Sequence, residues 1–114
     1  MEKQVIDQKT VKQLEHLLGD NFHVLVATFE EDAIAKVSSV RHNYEKNHLA
    51  ELSRVIHSLK GASLNMGAQE MASLCQRIET DIKNNQTADL DKIIVQLEAS
   101  LIDVKVVLGQ LKTS

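Results

Sequence analysis

Residues 90–111 read LDKIIVQLEASLIDVKVVLGQL. Leucine, isoleucine and valine recur in this stretch at alternating intervals of four and three residues, which places one apolar stripe along an α-helix. The stripe consists of Leu90, Ile94, Leu97, Leu101, Val104, Leu108 and Leu111. Because it spans only about three heptads, it favours a helix packed inside its own domain over an intermolecular coiled coil.

The same period continues upstream and predicts four more helices. The expected helices cover residues 10–18, 21–44, 48–66, 68–84 and 87–111. The joints between them carry residues that start or stop helices, namely Gly19, Asp20 or Asn21, Asn47, Gly67, the Asn84-Asn85 pair and Thr87. Short joints make successive long helices antiparallel neighbours. The sequence therefore predicts an all-α protein, an antiparallel up-down four-helix bundle with a short additional N-terminal helix, as one domain over residues 1–114.

Composition narrows the class of protein. The chain has 114 residues, no proline and a net charge of −3, which argues against nucleic acid as a partner. Its one cysteine, Cys75, lies on an apolar helical stripe and is expected in the core. No apolar stretch reaches the length of a membrane span, so we expect no membrane contact and a cytoplasmic location.

The predicted third helix holds the most informative residues, LSRVIHSLKGAS at 52–63. On a helical wheel, one face gathers Leu52, Val55, Leu59, Ala62 and Met66, which we expect to face the core. His57 points away from that face and is expected to be largely accessible to solvent. The outer face around it carries Ala50, Ser53, Arg54, Lys60, Gly61 and Leu64.

Two neighbours of His57 suggest chemistry at its imidazole. Lys60 follows by three residues and could hold an anion carried by the ring. Gly61 costs a helix about 1 kcal/mol relative to alanine, and it leaves space beside the imidazole for a second protein. A nucleophilic ring, a nearby cation and an open approach suit phosphoryl transfer. The alternatives are an ordinary surface histidine, which is our interpretation of His16, His23, His42 and His48, and a glycine that only permits close helix packing.

The stretch HSLKGAS at 57–63, followed by Gly67-Ala68, resembles the signature of histidine phosphotransfer (HPt) domains of bacterial two-component phosphorelays. The resemblance extends over residues 68–79 and over the lead-in from Leu14 to Phe29, and so covers most of the chain. It implies a helical bundle that carries a phosphoryl group on a histidine.

The resemblance also implies roles for individual residues. His57 is similar to the histidine phosphorylated at Nε2, Lys60 to the lysine that assists the phosphoryl group, and Gly61 to the glycine that leaves room for the partner. Glu79 is similar to a residue of the next helix that accepts a hydrogen bond from Nδ1–H, a task that Gln76 could share. This contact requires the fourth helix to lie close to His57. Leu64, where many HPt domains have a small residue, would form a docking patch with Ala50, Ser53 and Arg54.

The expected function is therefore that of a phosphohistidine carrier. With no nucleotide-binding loop and no room for a kinase domain, it is not expected to be an enzyme by itself or to hold a cofactor. Receiver domains of response regulators would dock transiently around His57 and supply the Mg²⁺. The sequence leaves open whether the chain is complete or a C-terminal module linked covalently to a hybrid sensor kinase.

Two other functions compete with this interpretation. The first is an interaction-only helical bundle in which His57 does no chemistry. The second is a carboxylate-bridged metal enzyme, since such bundles use Glu-x-x-His motifs on two helices. Glu45-x-x-His48 matches that motif once, at a predicted joint and without a second copy. We therefore expect no metal site.

Overall fold

The computed structural model describes residues 4–113, and they form five α-helices. These are α1 (Gln8–Leu18), α2 (Phe22–Glu45), α3 (Leu49–Met66), α4 (Gln69–Lys83) and α5 (Leu90–Thr113), with a short 3₁₀ turn at Gly19–Asn21. Helix α2 packs against α3 and α5, and α4 packs against the same two helices, so the four long helices close into a ring. The predicted four-helix bundle with a short N-terminal helix is confirmed.

The core is built largely from apolar stripes along α2, α4 and α5, and the stripe on α5 is the one that the sequence predicts. On α2, the residues from Phe22 to Val40 that recur at intervals of three and four are buried, while Tyr44 at the end is half-buried. On α5 the stripe is wider than predicted, because Ile93 and Ser100 are buried beside it. Burial on this scale supplies most of the stability of a helical bundle, since isolated helices are marginal in water.

The buried face of α3 differs from the predicted one. Val55 and Ala62 are only half-buried, whereas Ile56 and Ser63 are fully buried together with Leu52, Leu59 and Met66. The helix is thus turned about its axis relative to the wheel. The cause is its extensive packing against α4, which draws toward the core the flank of α3 that carries Ile56 and Lys60.

Several helix ends also differ from the predictions. The residue before α3 is His48, not Asn47, and Asn47 instead adopts a left-handed conformation with a φ of 58°. Helix α5 begins at Leu90, three residues after the predicted cap Thr87. Asn21 precedes α2, but its side chain makes no capping hydrogen bond. The predicted stops at Gly19 and Gly67 are both confirmed, each with a positive φ.

The N-terminal segment is fastened to the corner between α3 and α4. Asp7 caps α1, accepting hydrogen bonds from the Thr10 backbone N–H at 3.2 Å and from its hydroxyl at 2.7 Å. The backbone N–H of Asp7 donates to the carbonyl oxygen of Gly67 at 2.8 Å. A Cβ atom at Gly67 would lie 2.9 Å from Cβ of Thr10. Gly67 therefore serves two purposes, since it ends α3 and lets α1 approach.

Arg41 fastens α2 to α5 on the other side of the bundle. Its guanidinium donates to both carboxylate oxygens of Glu98, at 2.7 and 3.1 Å, and to Asp91 at 2.6 Å. The hydrogen bonds to Glu98 and then to Asp91 raise the pKa of Arg41 above its ordinary value. Among residues 4–113, no helix is long and apolar enough to cross a lipid bilayer.

Candidate functional site

His57 lies on the outer side of α3, and 73% of its side chain is exposed. Its Nδ1 atom is 3.3 Å from Oε2 of Glu79, on the neighbouring helix α4. This contact exists because α3 is turned toward α4, a rotation that the helical wheel did not anticipate. A carboxylate beside Nδ1 favours the tautomer that carries the proton on Nδ1, in which the Nε2 lone pair is free.

Glu79 contacts two residues, one with each carboxylate oxygen. While Oε2 faces His57, Oε1 lies 2.8 Å from Nζ of Lys60, and only 21% of the Glu79 side chain is exposed. Partial burial raises the pKa of Glu79, but the hydrogen bonds from Lys60 and His57 outweigh that effect. The net result is a pKa below the ordinary value, so Glu79 is a carboxylate at neutral pH.

Lys60 is less exposed than its predicted place on the outer face implies. Only 20% of its side chain is accessible, because the rotation of α3 lays the lysine stem against α4. Its ammonium contacts Glu79 and also donates to Oε1 of Gln76 at 3.1 Å. Lys60 therefore sits beside His57 as a fixed cation, and does not extend freely into solvent.

Gln76 occupies a different place from the one expected. The resemblance suggests that it could share with Glu79 the task of orienting His57, but in the structure its amide contacts Lys60. Its Nε2 donates to the Thr80 hydroxyl at 3.1 Å. Nothing in the sequence singled out Thr80, although its spacing of four residues from Gln76 puts both on one face of α4.

Gly61 has no structural reason within the described chain to be a glycine. Its φ is not positive, and a Cβ built there would meet no atom within 4 Å beyond its own surroundings in α3. Close packing of another helix, one of the two explanations left open by the sequence, is therefore excluded among residues 4–113. An open surface one turn from His57 remains, and it allows a second molecule to approach the imidazole.

The four predicted docking residues surround His57 on α3. Ala50, Arg54 and Leu64 are exposed, whereas Ser53 is half-buried. Leu64 exposes 58% of its surface. Arg54 forms an ion pair with Glu51 on the same helix. Ala50, Ser53 and Arg54 precede the imidazole along α3, and Leu64 follows it.

Two grooves flank α3, and the sequence did not identify them as sites. The α3–α4 groove, of about 300 Å³, is lined by Lys60, Leu64, Gln69, Ala72, Ser73 and Gln76. The α1–α3 groove, of about 430 Å³, is lined by Leu14, Leu18, Leu25, Thr28, Phe29, Asp32, Ala62, Asn65 and Met66. Leu14, Leu18 and Leu25 could have signalled the second groove, because they lie beside the core stripes of α1 and α2.

The remaining candidates stay outside this site. His16, His23, His42 and His48 are exposed, as predicted. Cys75 is buried, also as predicted, and its burial raises the pKa of its thiol to about 12. Glu45 ends α2 and His48 precedes α3. In the described part of the chain, no three His, Cys, Asp or Glu side chains gather as a metal-binding group.

Comparison with known proteins places this geometry in a family. The family model described as "Hpt domain" matches residues 24–106. The sensor protein GacS of Pseudomonas syringae pv. syringae is 36% identical over 89 residues, which are 73% of this chain and 9% of that protein. Multistep phosphorelay regulator 1 of Schizosaccharomyces pombe is 30% identical over 82 residues, 68% of this chain and 28% of that protein. The chain thus spans less than a third of either relative.

A solved structure supports the fold independently. This chain superimposes on the crystal structure of histidine-containing phosphotransfer protein B from Pseudomonas aeruginosa PAO1 with a TM-score of 0.93, at 24% sequence identity. The superposition covers 98% of this chain and 97% of that one. The family match extends over the helices that hold His57, Lys60, Gly61, Gln76 and Glu79. The chain therefore belongs to the Hpt domain family, the histidine phosphotransfer carriers of phosphorelays.

Proposed function

We propose that this chain carries a phosphoryl group on Nε2 of His57, accepts it from the aspartyl phosphate of a receiver domain, and passes it to the aspartate of another. One observation carries the proposal. His57 is an exposed imidazole whose Nδ1 atom lies 3.3 Å from the Glu79 carboxylate. That arrangement supports the proposal, because a carboxylate beside Nδ1 favours a proton on that nitrogen and a nucleophilic lone pair on Nε2.

The proposed step forms one bond and breaks one. The Nε2 lone pair attacks the phosphorus of the aspartyl phosphate, and the bond from phosphorus to the aspartate oxygen breaks, so that aspartate leaves as a carboxylate. The ring keeps its proton on Nδ1 and gains positive charge. The Glu79 carboxylate, which accepts the hydrogen bond from Nδ1–H, stabilises that charge. Transfer onward is the same step in reverse with a second receiver.

Lys60 and Gly61 complete the site in this proposal. The ammonium of Lys60 stabilises the negative charge of the phosphoryl oxygens, and the open surface at Gly61 admits the receiver's aspartate. The Mg²⁺ that phosphoryl transfer requires would belong to the receiver. We accordingly propose a carrier that shares its chemistry with its partner, has no cofactor of its own and is not an enzyme by itself.

The docking face would include the exposed patch of Ala50, Ser53, Arg54 and Leu64 and the α1–α3 groove. The apolar lining of the α1–α3 groove suits the apolar face of a partner helix. A carrier must release each partner, so we propose transient docking. The matched sensor protein makes a covalently linked sensor kinase a further proposed partner, and the proposed place of action is the cytoplasm.

The test is transfer of ³²P from a phosphorylated receiver domain to the wild-type chain and to His57→Gln. We expect label on the wild type and none on His57→Gln. His16→Gln, which changes an exposed histidine on α1, is the control and should accept label normally. Label that persists in His57→Gln would overturn the site assignment. No label on the wild type from several receivers would favour the interaction-only bundle.

A further inference from the structure

The proposed carrier site contains a row of contacting polar side chains that extends beyond His57, Glu79 and Lys60, the three residues with proposed roles in transfer. It runs from His57 to Glu79, from Glu79 to Lys60, from Lys60 to Gln76 and from Gln76 to Thr80, and its successive contacts are 3.3, 2.8, 3.1 and 3.1 Å. His57 and Lys60 come from one turn of α3, and the other three residues come from one turn of α4. In the contacts described, Gln76 and Thr80 touch neither the His57 imidazole nor the Glu79 carboxylate.

Glu79 and an arriving phosphoryl group would compete for the ammonium of Lys60, and Gln76 and Thr80 can reduce the effect of that competition. Its ammonium shares the Glu79 carboxylate with His57. A phosphoryl group on Nε2 brings between one and two negative charges and draws the ammonium away from Glu79. If Glu79 alone held Lys60, the carboxylate could follow the ammonium and loosen its hold on Nδ1–H.

Gln76 gives Lys60 a second acceptor that carries no charge. A neutral amide oxygen orients the ammonium but competes with a phosphoryl group much less than a carboxylate does. The orientation of the amide matters, because its NH₂ end would repel an ammonium. The Thr80 hydroxyl accepts a hydrogen bond from Nε2 of Gln76, which leaves the Oε1 end for Lys60.

We propose that Gln76, held in orientation by Thr80, is a positioning residue that keeps the Lys60 ammonium beside His57 while the phosphoryl group arrives and leaves. The inference rests on the proposed function of His57. In this proposal Gln76 acts on transfer only through Lys60. Loss of Gln76 should therefore slow transfer at saturating receiver without weakening the docking of that receiver.

A double-mutant cycle with Lys60 tests the route of this effect. In single-turnover assays at saturating phosphorylated receiver, we expect Gln76→Ala to slow transfer about tenfold, the loss of one hydrogen bond to a charged group. In a Lys60→Ala background the same change should have no further effect. An equal loss in both backgrounds would overturn the proposal, because Gln76 would then act on the receiver or the phosphoryl group directly.

Thr80 offers a matched pair of variants. Thr80→Ser keeps the hydroxyl and should transfer at the wild-type rate, whereas Thr80→Val keeps the shape, loses the hydroxyl and should be slowed in the same direction as Gln76→Ala. Thr80 is exposed, so neither change should affect folding. Equal rates for the two variants would contradict the orienting role of Thr80.

Replacing the Gln76 amide by a carboxylate should slow transfer further than removing it. Gln76→Glu would bind Lys60 more tightly and hold it away from the phosphoryl group, so transfer should be slower than in Gln76→Ala. Faster transfer than in Gln76→Ala would contradict the proposal.

Docking of the receiver should not change in the Gln76 variants. Their dissociation constants for an unphosphorylated receiver, measured by titration calorimetry, should stay within about twofold of the wild-type value, well below the roughly tenfold change that 1.4 kcal/mol represents. If His57 still accepts the label but the effects of Gln76→Ala and Lys60→Ala on the transfer rate are additive, this inference is refuted and the proposed carrier function stands.

Discussion

Gly61 is the residue whose identity the isolated domain least explains. Nothing among residues 4–113 crowds the position, and a helix prefers alanine there by about 1 kcal/mol. A residue that weakens its own helix without serving it implies a requirement from outside the chain. In this account the requirement is the approach of the receiver's aspartate to Nε2 of His57.

We therefore expect opposite effects of Gly61→Ala on stability and on transfer. The free energy of unfolding should rise by about 1 kcal/mol, as measured by urea denaturation, while transfer from a phosphorylated receiver should slow.

Gly109→Ala on α5 is the matched control, because its Cβ would also meet open space. It should give a similar gain in stability with normal transfer. If both alanine variants transfer at the wild-type rate, Gly61 has no role in docking.

Glu79 links the chemistry of the site to the acid stability of the domain. Its pKa in the folded protein is lowered, mainly because hydrogen bonds from Lys60 and His57 outweigh the opposing effect of burial. A lowered pKa means that the folded state binds a proton less readily than the unfolded state does. The stability that Glu79 contributes is therefore complete above the ordinary glutamate pKa of about 4.3 and is lost as the pH falls through the lower folded value.

We expect the free energy of unfolding to fall less steeply in Glu79→Gln than in wild type when the pH decreases from 5 toward about 3, the range below the ordinary pKa. Denaturant titrations at several pH values measure this slope. Glu31→Gln, on an exposed part of α2, leaves the Glu79 contacts intact and should retain the wild-type slope. Parallel curves for wild type and Glu79→Gln would contradict the account.

Among the elements, α3 shows best what its sequence could and could not predict. Spacing alone identified the helix, its stop at Gly67 and the exposure of His57. It could not fix the rotation of the helix, because Val55 and Ile56 are equally apolar and only the packing of α4 decides which one is buried. The same rotation places Glu79 beside His57 and partly buries Lys60, so the contacts of the site depended on a tertiary fact that a helical wheel does not contain.

The joints between elements were the other source of error. Thr87 and Asn47 are good capping residues by type, yet α5 begins at Leu90 and His48 precedes α3. Cap preference is worth only about 1 kcal/mol and yields to the packing of the adjoining helices. Asp7, which does cap α1, lies three residues before the segment that the apolar spacing predicted as helical.

Gly67 is the joint on which two elements depend. It holds a φ of 82°, and Thr10 lies too near for a Cβ atom. We expect Gly67→Ala to lower the free energy of unfolding by about 2 kcal/mol, through backbone strain together with displacement of α1. Thermal and urea denaturation measure the loss. Gly109→Ala provides the comparison, and if Gly67→Ala is equally well tolerated, then α1 does not depend on this corner.

At the scale of the whole molecule, Cys75 reports on the cohesion of the core. Its side chain is fully buried, and burial raises its pKa to about 12, so it is neither exposed nor ionised in the folded state. A thiol reagent should therefore label Cys75 only when the bundle opens, at a rate that follows unfolding. Ser73→Cys combined with Cys75→Ala moves the thiol to an exposed position on the same helix and should react at once. Equally rapid labelling of the native protein would show that the bundle opens far more readily than this packing implies.

We propose that the bundle as a whole holds the imidazole of His57 with Nε2 facing outward. NMR observation of the ring nitrogens of ¹⁵N-histidine-labelled protein, before and after phosphorylation by a receiver, tests that claim most directly. We expect a proton on Nδ1 of His57 in the free protein and the phosphoryl group on Nε2 of the same ring afterwards. A phosphoryl group on Nδ1 of His57, or on any of the other four histidines, would contradict it.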